Sequence, residues 1–230
     1  MTLQEAIKQR HSVRRYVHKP LSAEIVETLR KKIEEWNAES GLHIQLVTNE
    51  TRAFTGLFSY GKFSGVENYI VMVGKKADDL DERVGYYGEQ LVLLAQTLGL
   101  NTCWAGLSYR RVDEAYSVGD DEKLTCMIAL GYGATQGHKR KSKTAEQVSN
   151  ISSDSPEWFR NGVEAALLAP TAINQQKFSF TLLPNEQDTE DKPKVLAKRG
   201  FSMVGYTKMD IGIARLHFEI GAGTENFDWA

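Results

Sequence analysis

The sequence has few cysteines and no long hydrophobic run. Cys103 and Cys126 are the two cysteines among 230 residues, and they do not form a C-x-x-C motif. This composition argues against a disulfide scaffold and predicts two small buried thiols in a reducing compartment. The apolar runs are far shorter than the roughly 20 residues of a membrane-spanning helix. The N-terminus also lacks the apolar core of a signal peptide. These absences predict a cytoplasmic protein.

A strong charge imbalance is also missing. Lys and Arg total 28 against 30 Asp and Glu, so the net charge of −2 gives no electrostatic argument for a nucleic-acid partner. His18, His43 and His217 have no carboxylate or cysteine at metal-ligand spacing, which predicts no metal site and places these rings in solvent or at the edge of the core. Neither a Ser-His-Asp nor a Cys-His arrangement can be recognised in the sequence.

The sequence does contain segments whose apolar residues recur at helical spacing and segments whose apolar residues are typical of strands. Apolar spacing predicts helices over residues 2–9, 22–36, 81–98, 156–168 and 210–220. Alternating or continuous apolar runs predict strands over 42–47, 69–73, 124–130 and 178–182, with a strand end at 102–106. An acidic surface loop is expected over 185–194. A length of 230 residues allows one large domain or two small halves.

The elements suggest a weak internal repeat. Gly88 and Gly99 bracket the third helix at the same spacing as Gly212 and Gly223 bracket the last, and each helix leads to a Trp-Ala pair. We therefore predict two related halves, residues 1–145 and 154–230, joined by a polar linker. Because the two halves carry different motifs, one complete site is expected where they meet.

The first of these motifs is a compact cationic segment near the N-terminus. It contains Arg10, His11, Ser12 and Arg14 within five residues. Arginine presents a planar fork of donors suited to phosphate oxygens. Because Val13 and Tyr16 alternate with the polar residues, an extended backbone would turn Ser12 and Arg14 to one face. The alternative is that cations after a short helix merely offset its dipole.

Three further stretches carry candidate residues, each with a plainer alternative. The basic run 138–143, with Lys139 and Lys141, is either an anion site or a solvated loop. Gly106, at the end of the third predicted strand, is either a position where a ligand approaches the backbone closely or an ordinary loop glycine. The break that begins at Pro170 and reaches Asn174 is either a binding loop or a helix-ending turn.

Taken together, these motifs resemble those of the FMN-dependent nitroreductase family. Residues 10–14 are similar to its R-[RH]-S-x-[RK] flavin-phosphate motif. Residues 98–106 resemble its G-L-G-x-x-W-x-G stretch, and Gly131-Tyr132-Gly133 with the basic run resembles its terminal G-Y-P and basic pair. Residues 169–178 resemble A-P-S-x-x-N-x-Q-P-W, with Lys177 in place of proline and Phe178 in place of tryptophan.

The motif order departs from that of ordinary family members, in which the P-S-x-x-N motif follows the first long helix. Here it appears only in the second half, so the chain resembles a homodimer fused into one chain and reduced to one site. The resemblance implies an α+β fold of mainly antiparallel sheets with packed helices, duplicated internally, a monomer, and one FMN between the halves. The residues that it assigns to FMN are Arg10, His11, Ser12, Arg14, Trp104, Ala105, Gly106, Lys139, Lys141, Pro170, Thr171, Ala172 and Asn174, with Tyr60 and Lys62 as further neighbours.

The resemblance also implies an activity. The chemistry would lie at flavin N5 rather than on a catalytic side chain, with hydride passing from NAD(P)H to a nitroaromatic or quinone in a ping-pong reaction. Two alternatives stay open: a relative that cleaves flavin or dehalogenates aromatic compounds, and a protein that binds or stores FMN without turnover.

Overall fold

The computed structural model describes residues 1–55, 62–184 and 192–230, and these form two sheets with helices packed against them. The helices are α1 (Leu3–Gln9), α2 (Ala23–Ser40), α3 (Leu80–Thr97), α4 (Glu157–Leu167) and α5 (Thr207–Ala222). The strands are β1 (Gln45–Val47), β2 (Asn68–Lys75), β3 (Asn101–Ala105), β4 (Glu122–Gly131), β5 (Phe178–Leu182), β6 (Lys194–Arg199) and β7 (Asp228–Trp229). The predicted α+β class with antiparallel sheets is confirmed.

Local signals explain where the helices begin and end. Thr2 and Glu5 form a reciprocal capping box at the start of α1, as their spacing predicts. The side chain of Ser22 caps α2, which continues four residues beyond the predicted end and stops at Gly41, with φ of 67°. After α3, Gly99 takes the left-handed conformation with φ of 76°. All five predicted helices are present, with ends shifted by a few residues.

The first sheet has the strand order β1-β2-β4-β3 and is antiparallel throughout. The central pair β2 and β4 places Ile70 opposite Ile128. Both strands are apolar on both faces because helices cover one side of the sheet and loops cover the other, so a continuous apolar run was the correct signal.

The second sheet pairs β5 with β6 antiparallel and β6 with β7 parallel. Strand β6 was not predicted. Most of the expected acidic loop, residues 185–191, lies outside the described residues, but its end at Lys194 begins this strand. Basic residues at both ends of β6 obscure the short apolar stretch between them, and β7 has two residues, too few for periodicity to show.

One hydrophobic core joins the two halves. Val84 and Leu91 of α3 belong to the same buried cluster as Met209, Ile213 and Phe218 of α5. Two glycines allow this contact: a Cβ on Gly85 would lie 2.1 Å from the Met209 carbonyl oxygen, and one on Gly212 would lie 2.0 Å from that of Glu82. The internal duplication stays a prediction. No helix in the described residues is long and apolar enough to cross a membrane.

Candidate functional site

A wide cavity of about 510 Å³ lies where the two halves meet. None of the described residues that line it is acidic, and five of them are Lys or Arg: Lys8, Arg10, Arg14, Lys139 and Arg140. The second half closes the opposite side with Leu168, Pro170, Thr171, Ile173 and Asn174. A concentration of cations without carboxylates makes this cavity a site for an anion.

The arginine segment reaches the cavity in the extended form that its alternation predicts. Ser12 forms a bridge beside Thr102, and the Val13 N–H donates to the Thr102 carbonyl at 3.0 Å. Val13 is buried, whereas Ser12 and Arg14 face the cavity. The segment is therefore anchored to the edge of the first sheet next to β3, and this explains why the polar side chains share one face.

Arg10 is held differently from Arg14, because its side chain is almost fully buried. Its Nε lies 3.7 Å from Glu89 Oε1, and its Nη2 donates to the Leu168 carbonyl at 3.5 Å. Nε itself has no hydrogen-bond partner among the described residues. A buried guanidinium with an unused donor is costly, and an anion in the wide cavity would supply the missing acceptor.

The basic run contributes to the cavity through one of its two predicted residues and through a neighbour that was not predicted. Lys139 lines the wide cavity, as does Arg140, which the sequence analysis did not single out. The Lys141 side chain is exposed and lines neither cavity in the described structure, although its carbonyl accepts a hydrogen bond from Asn174 Nδ2 at 2.7 Å. Burial near Arg10 lowers the pKa of Arg140 to about 10.

The loop from Pro170 to Lys177 is strained and tied to the first half. Ile173, Asn174 and Gln176 all have left-handed backbones, with φ of 46°, 59° and 45°. Lys143 Nζ donates to the Gln176 carbonyl at 2.6 Å, and Arg140 Nη2 donates to the Ala169 carbonyl at 2.6 Å. Such strain persists only where surrounding contacts enforce it, and it is common in binding loops. The Asn174 side-chain oxygen is buried without a partner among the described residues.

A second, smaller cavity of about 130 Å³ adjoins the first. The two share Ser12, Arg14 and three loop residues, so they form one continuous site. Trp104, Tyr206, Met209 and Ile213 give the small cavity an apolar and aromatic wall that the wide cavity lacks. This lining suits a flat ring rather than a charged group.

Gly106 lies against Tyr206 in the small cavity. A Cβ at position 106 would stand 2.5 Å from the Tyr206 hydroxyl oxygen, so the absence of a side chain allows this approach. Ala105 is buried and lines neither cavity. Lys62 is exposed and lines neither described cavity, and Tyr60 lies outside the described residues.

Asp210 is the carboxylate of the small cavity, and it is not among the site residues predicted from the sequence. It is 3% exposed and accepts hydrogen bonds from the Ala172 N–H at 3.0 Å and Gln175 Nε2 at 2.6 Å. Burial raises the pKa of Asp210 to about 6, partly offset by these two hydrogen bonds. The carboxylate thus fixes the strained loop over the cavity. Its only sequence signal was its position in the first turn of the last helix.

Cys103 and Cys126 are free and buried as predicted, and burial raises the pKa of both thiols. The expectation for His217 was wrong: it is fully buried and contacts Glu89. In the described ranges, no group of three or more His, Cys, Asp or Glu is arranged to hold a metal ion.

Comparisons with known proteins bear on this geometry. The family model described as "Putative TM nitroreductase" matches residues 2–222. No curated protein sequence matches the chain. A putative nitroreductase from Thermotoga maritima is 23% identical with a TM-score of 0.61, and the match covers 96% of this chain and 83% of that one.

Two further solved structures have the same fold. A putative nitroreductase from Desulfovibrio desulfuricans, solved in complex with FMN, is 18% identical with a TM-score of 0.51 over 68% of this chain and 99% of that one. A protein from Parabacteroides distasonis, described as a putative NADH dehydrogenase/NAD(P)H nitroreductase, is 19% identical with a TM-score of 0.50 over 66% of this chain and 98% of that one.

Proposed function

Because the chain belongs to the nitroreductase family, we propose that it is an FMN-dependent oxidoreductase that takes electrons from NAD(P)H. The observation that carries this proposal is the pairing of a cationic cavity with an adjoining aromatic one across the two halves. FMN has the same division, with a phosphate at one end, a polyol in the middle and a flat ring at the other end.

The unused polar atoms of the site fit FMN. Arg10 Nε is a buried donor without an acceptor, and Asn174 Oδ1 is a buried acceptor without a donor among the described residues. A phosphate oxygen would satisfy the first, and a ribityl hydroxyl would satisfy the second. Both residues line the wide cavity.

We assign the phosphate end to the cations of the wide cavity. Arg10, Ser12, Arg14 and Lys139 would hold the phosphate as the resemblance implies, and Arg140 joins them. His11 lines the same cavity. Lys141 would act through its carbonyl, which orients Asn174. The shared role of these residues is to bind and orient the cofactor.

We assign the ring end to the small cavity. Pro170, Thr171 and Ala172 would cover one face, and the backbone of Trp104, Ala105 and Gly106 would offer N–H groups to the ring edge. Arg14 lines both cavities, so its charge favours negative charge at the ring end. The chemistry that FMN would supply when bound is hydride transfer in a ping-pong sequence. The flavin would be reduced by NAD(P)H and then reoxidised by a nitroaromatic or quinone acceptor.

We further propose that the chain is a fused and reduced form of a homodimer, monomeric, with halves 1–145 and 154–230. The arginine segment lies only in the first half and the strained loop only in the second, so neither half can form the site alone. The two free, buried thiols support the cytoplasm as its compartment.

The test is to purify the protein, record its visible spectrum and measure NADH and NADPH oxidation with menadione or nitrofurazone. The proposal expects a flavin spectrum, and oxidation of one or both nucleotides that depends on FMN and on the acceptor. A flavin spectrum without turnover would indicate a storage protein. The absence of FMN binding would reject the proposal.

A further inference from the structure

The buried carboxylate of Glu89 contacts one residue from each cavity and also His217 in the second half of the chain. Glu89 lies in the middle of α3 and is 0% exposed. Its Oε2 accepts a hydrogen bond from Trp104 Nε1 at 2.9 Å, and its Oε1 lies 2.9 Å from His217 Nε2 and 3.7 Å from Arg10 Nε. Trp104 lines the small cavity and Arg10 the wide one. One carboxylate therefore contacts a wall of each.

The hydrogen bonds of His217 determine where its protons lie. Its Nδ1 is 3.1 Å from the Ala165 carbonyl oxygen, which can only accept, so Nδ1 carries a hydrogen. The 2.9 Å contact between Nε2 and Glu89 Oε1 then requires a second proton between these two atoms. Both Glu89 oxygens face donors, since Oε2 accepts from Trp104 Nε1 and Oε1 faces Arg10 Nε at 3.7 Å. The proton is therefore assigned to His217, as an imidazolium.

The protonation state of His217 determines how much of the positive charge of Arg10 is available in the wide cavity. If the ring were neutral, the negative charge of Glu89 would be directed mainly at Arg10 and would cancel its positive charge. With the imidazolium present, the buried pair of Glu89 and His217 is neutral overall, and the charges of Arg10 and Arg140 remain available to an anion. The 3.7 Å distance from Arg10 Nε to Glu89 Oε1 is too long for a hydrogen bond, which agrees with a weak interaction between this carboxylate and the guanidinium.

We propose that His217 is a positioning residue for the anion end of the site: by neutralising Glu89 it leaves Arg10 free to bind the anion in the wide cavity. The inference rests on the proposed function only for the identity of that anion, the FMN phosphate. Glu89 and His217 line neither the wide nor the small cavity, so they act through Arg10 and Trp104.

The test uses His217→Gln, which keeps an amide donor for Glu89 and removes the charge. The affinity for inorganic phosphate, measured calorimetrically on the flavin-free protein, is expected to fall on the order of tenfold, the effect of one nearby charge in a partly screened site. FMN affinity should fall similarly, whereas riboflavin, which lacks the phosphate, should bind as it does to the wild type.

Rescue distinguishes charge balance from simple damage. The double variant Glu89→Gln with His217→Gln restores a neutral pair linked by an amide hydrogen bond, so phosphate affinity should return to within about twofold of the wild type. His43→Gln is the matched control, because His43 also contacts a carboxylate, Glu122 at 2.9 Å, but lines neither cavity. It should leave phosphate affinity unchanged.

The protonation of His217 can also be measured directly. Nitrogen-15 NMR of the wild-type protein should show both ring nitrogens of His217 protonated, and Glu89→Gln should convert the ring to a neutral form with hydrogen on Nδ1. An unprotonated Nε2 in the wild type would overturn the inference. Equal losses of phosphate and riboflavin affinity in His217→Gln, or no recovery in the double variant, would also overturn it. If the phosphate pattern holds but FMN does not bind, the proposed function fails and the inference stands.

Discussion

The two cavities differ in how their residues are distributed along the chain. Most of the wide cavity comes from two continuous stretches, residues 7–14 and 138–142, whose charges are neighbours in sequence. The small cavity draws one residue each from β3 and β4, Trp104 and Cys126, and three from α5, including Ile213. A phosphate can be held by any dense group of donors, whereas a ring needs a wall that only the packed fold provides. The charged residues of the anion end can therefore be recognised from local sequence, whereas Met209, Asp210 and Ile213 at the ring end cannot.

The largest expected effect concerns the small cavity. Burial raises the pKa of Asp210 from 3.8 to about 6, so between these values the folded protein holds more protons than the unfolded chain. The free energy of unfolding should therefore fall as pH rises through this window, by roughly 3 kcal/mol at about 1.4 kcal/mol per pKa unit. Asp210→Asn should lack this loss, because a side-chain amide does not titrate in this range.

The measurement for Asp210 is urea unfolding of the flavin-free wild type and Asp210→Asn at pH 4 and pH 7.5. The stability of the wild type relative to the variant should be lower at the higher pH. An identical pH dependence in the two proteins would show that the Asp210 carboxyl is not a buried titrating group.

Arg14 faces both cavities, and its neighbour offers a matched control. Arg14→Ala should weaken FMN binding roughly 10- to 100-fold, the contribution of one charge-assisted hydrogen bond. Arg15 has the same side chain one residue later but lines neither described cavity, so Arg15→Ala should change little. Fluorescence quenching of FMN measures both affinities. Equal effects of the two variants would remove the arginine segment from the site.

Lys139 and Lys141, which were both predicted to contribute to the site, are expected to differ in their effect on FMN binding. Lys139 lines the wide cavity and Lys141 does not, so Lys139→Ala should weaken FMN binding about 2- to 5-fold, a small effect because the lysine is exposed to solvent. Lys141→Ala should leave FMN affinity unchanged, because it keeps the backbone carbonyl that Asn174 contacts. A larger loss in Lys141→Ala than in Lys139→Ala would contradict the assignment.

A modest effect, comparable to that at Lys139, is expected at Asn174. Asn174→Gly keeps the left-handed backbone and removes the amide, so FMN affinity should fall by a factor of about 2 to 12, equivalent to 0.5–1.5 kcal/mol for one hydrogen bond. Riboflavin, which shares the ribityl chain, should lose as much. A loss confined to FMN would move Asn174 to the phosphate end.

The sequence predicted elements with strong local signals. Thr2 and Gly99 marked helix ends, and the continuous apolar run of β2 marked a central strand, because caps and periodicity act within a few residues. Strand β6 was missed because its pairing with β5, not its composition, makes it a strand.

The same contrast holds within the site. The alternation around Val13 correctly placed Ser12 and Arg14 on one face. Glu89 and Asp210 were missed because their partners lie elsewhere in the chain. One signal was present for Glu89: it falls four residues after Gly85 on the buried face of α3, where an acidic residue requires a partner.

The most direct test of the central claim is the ratio of FMN to polypeptide at saturation, with protein concentration fixed by amino-acid analysis. The cations of the wide cavity lie in the first half and the strained loop in the second, so the proposed site spans both. We predict one FMN per chain. Two FMN per chain, or none, would contradict the account.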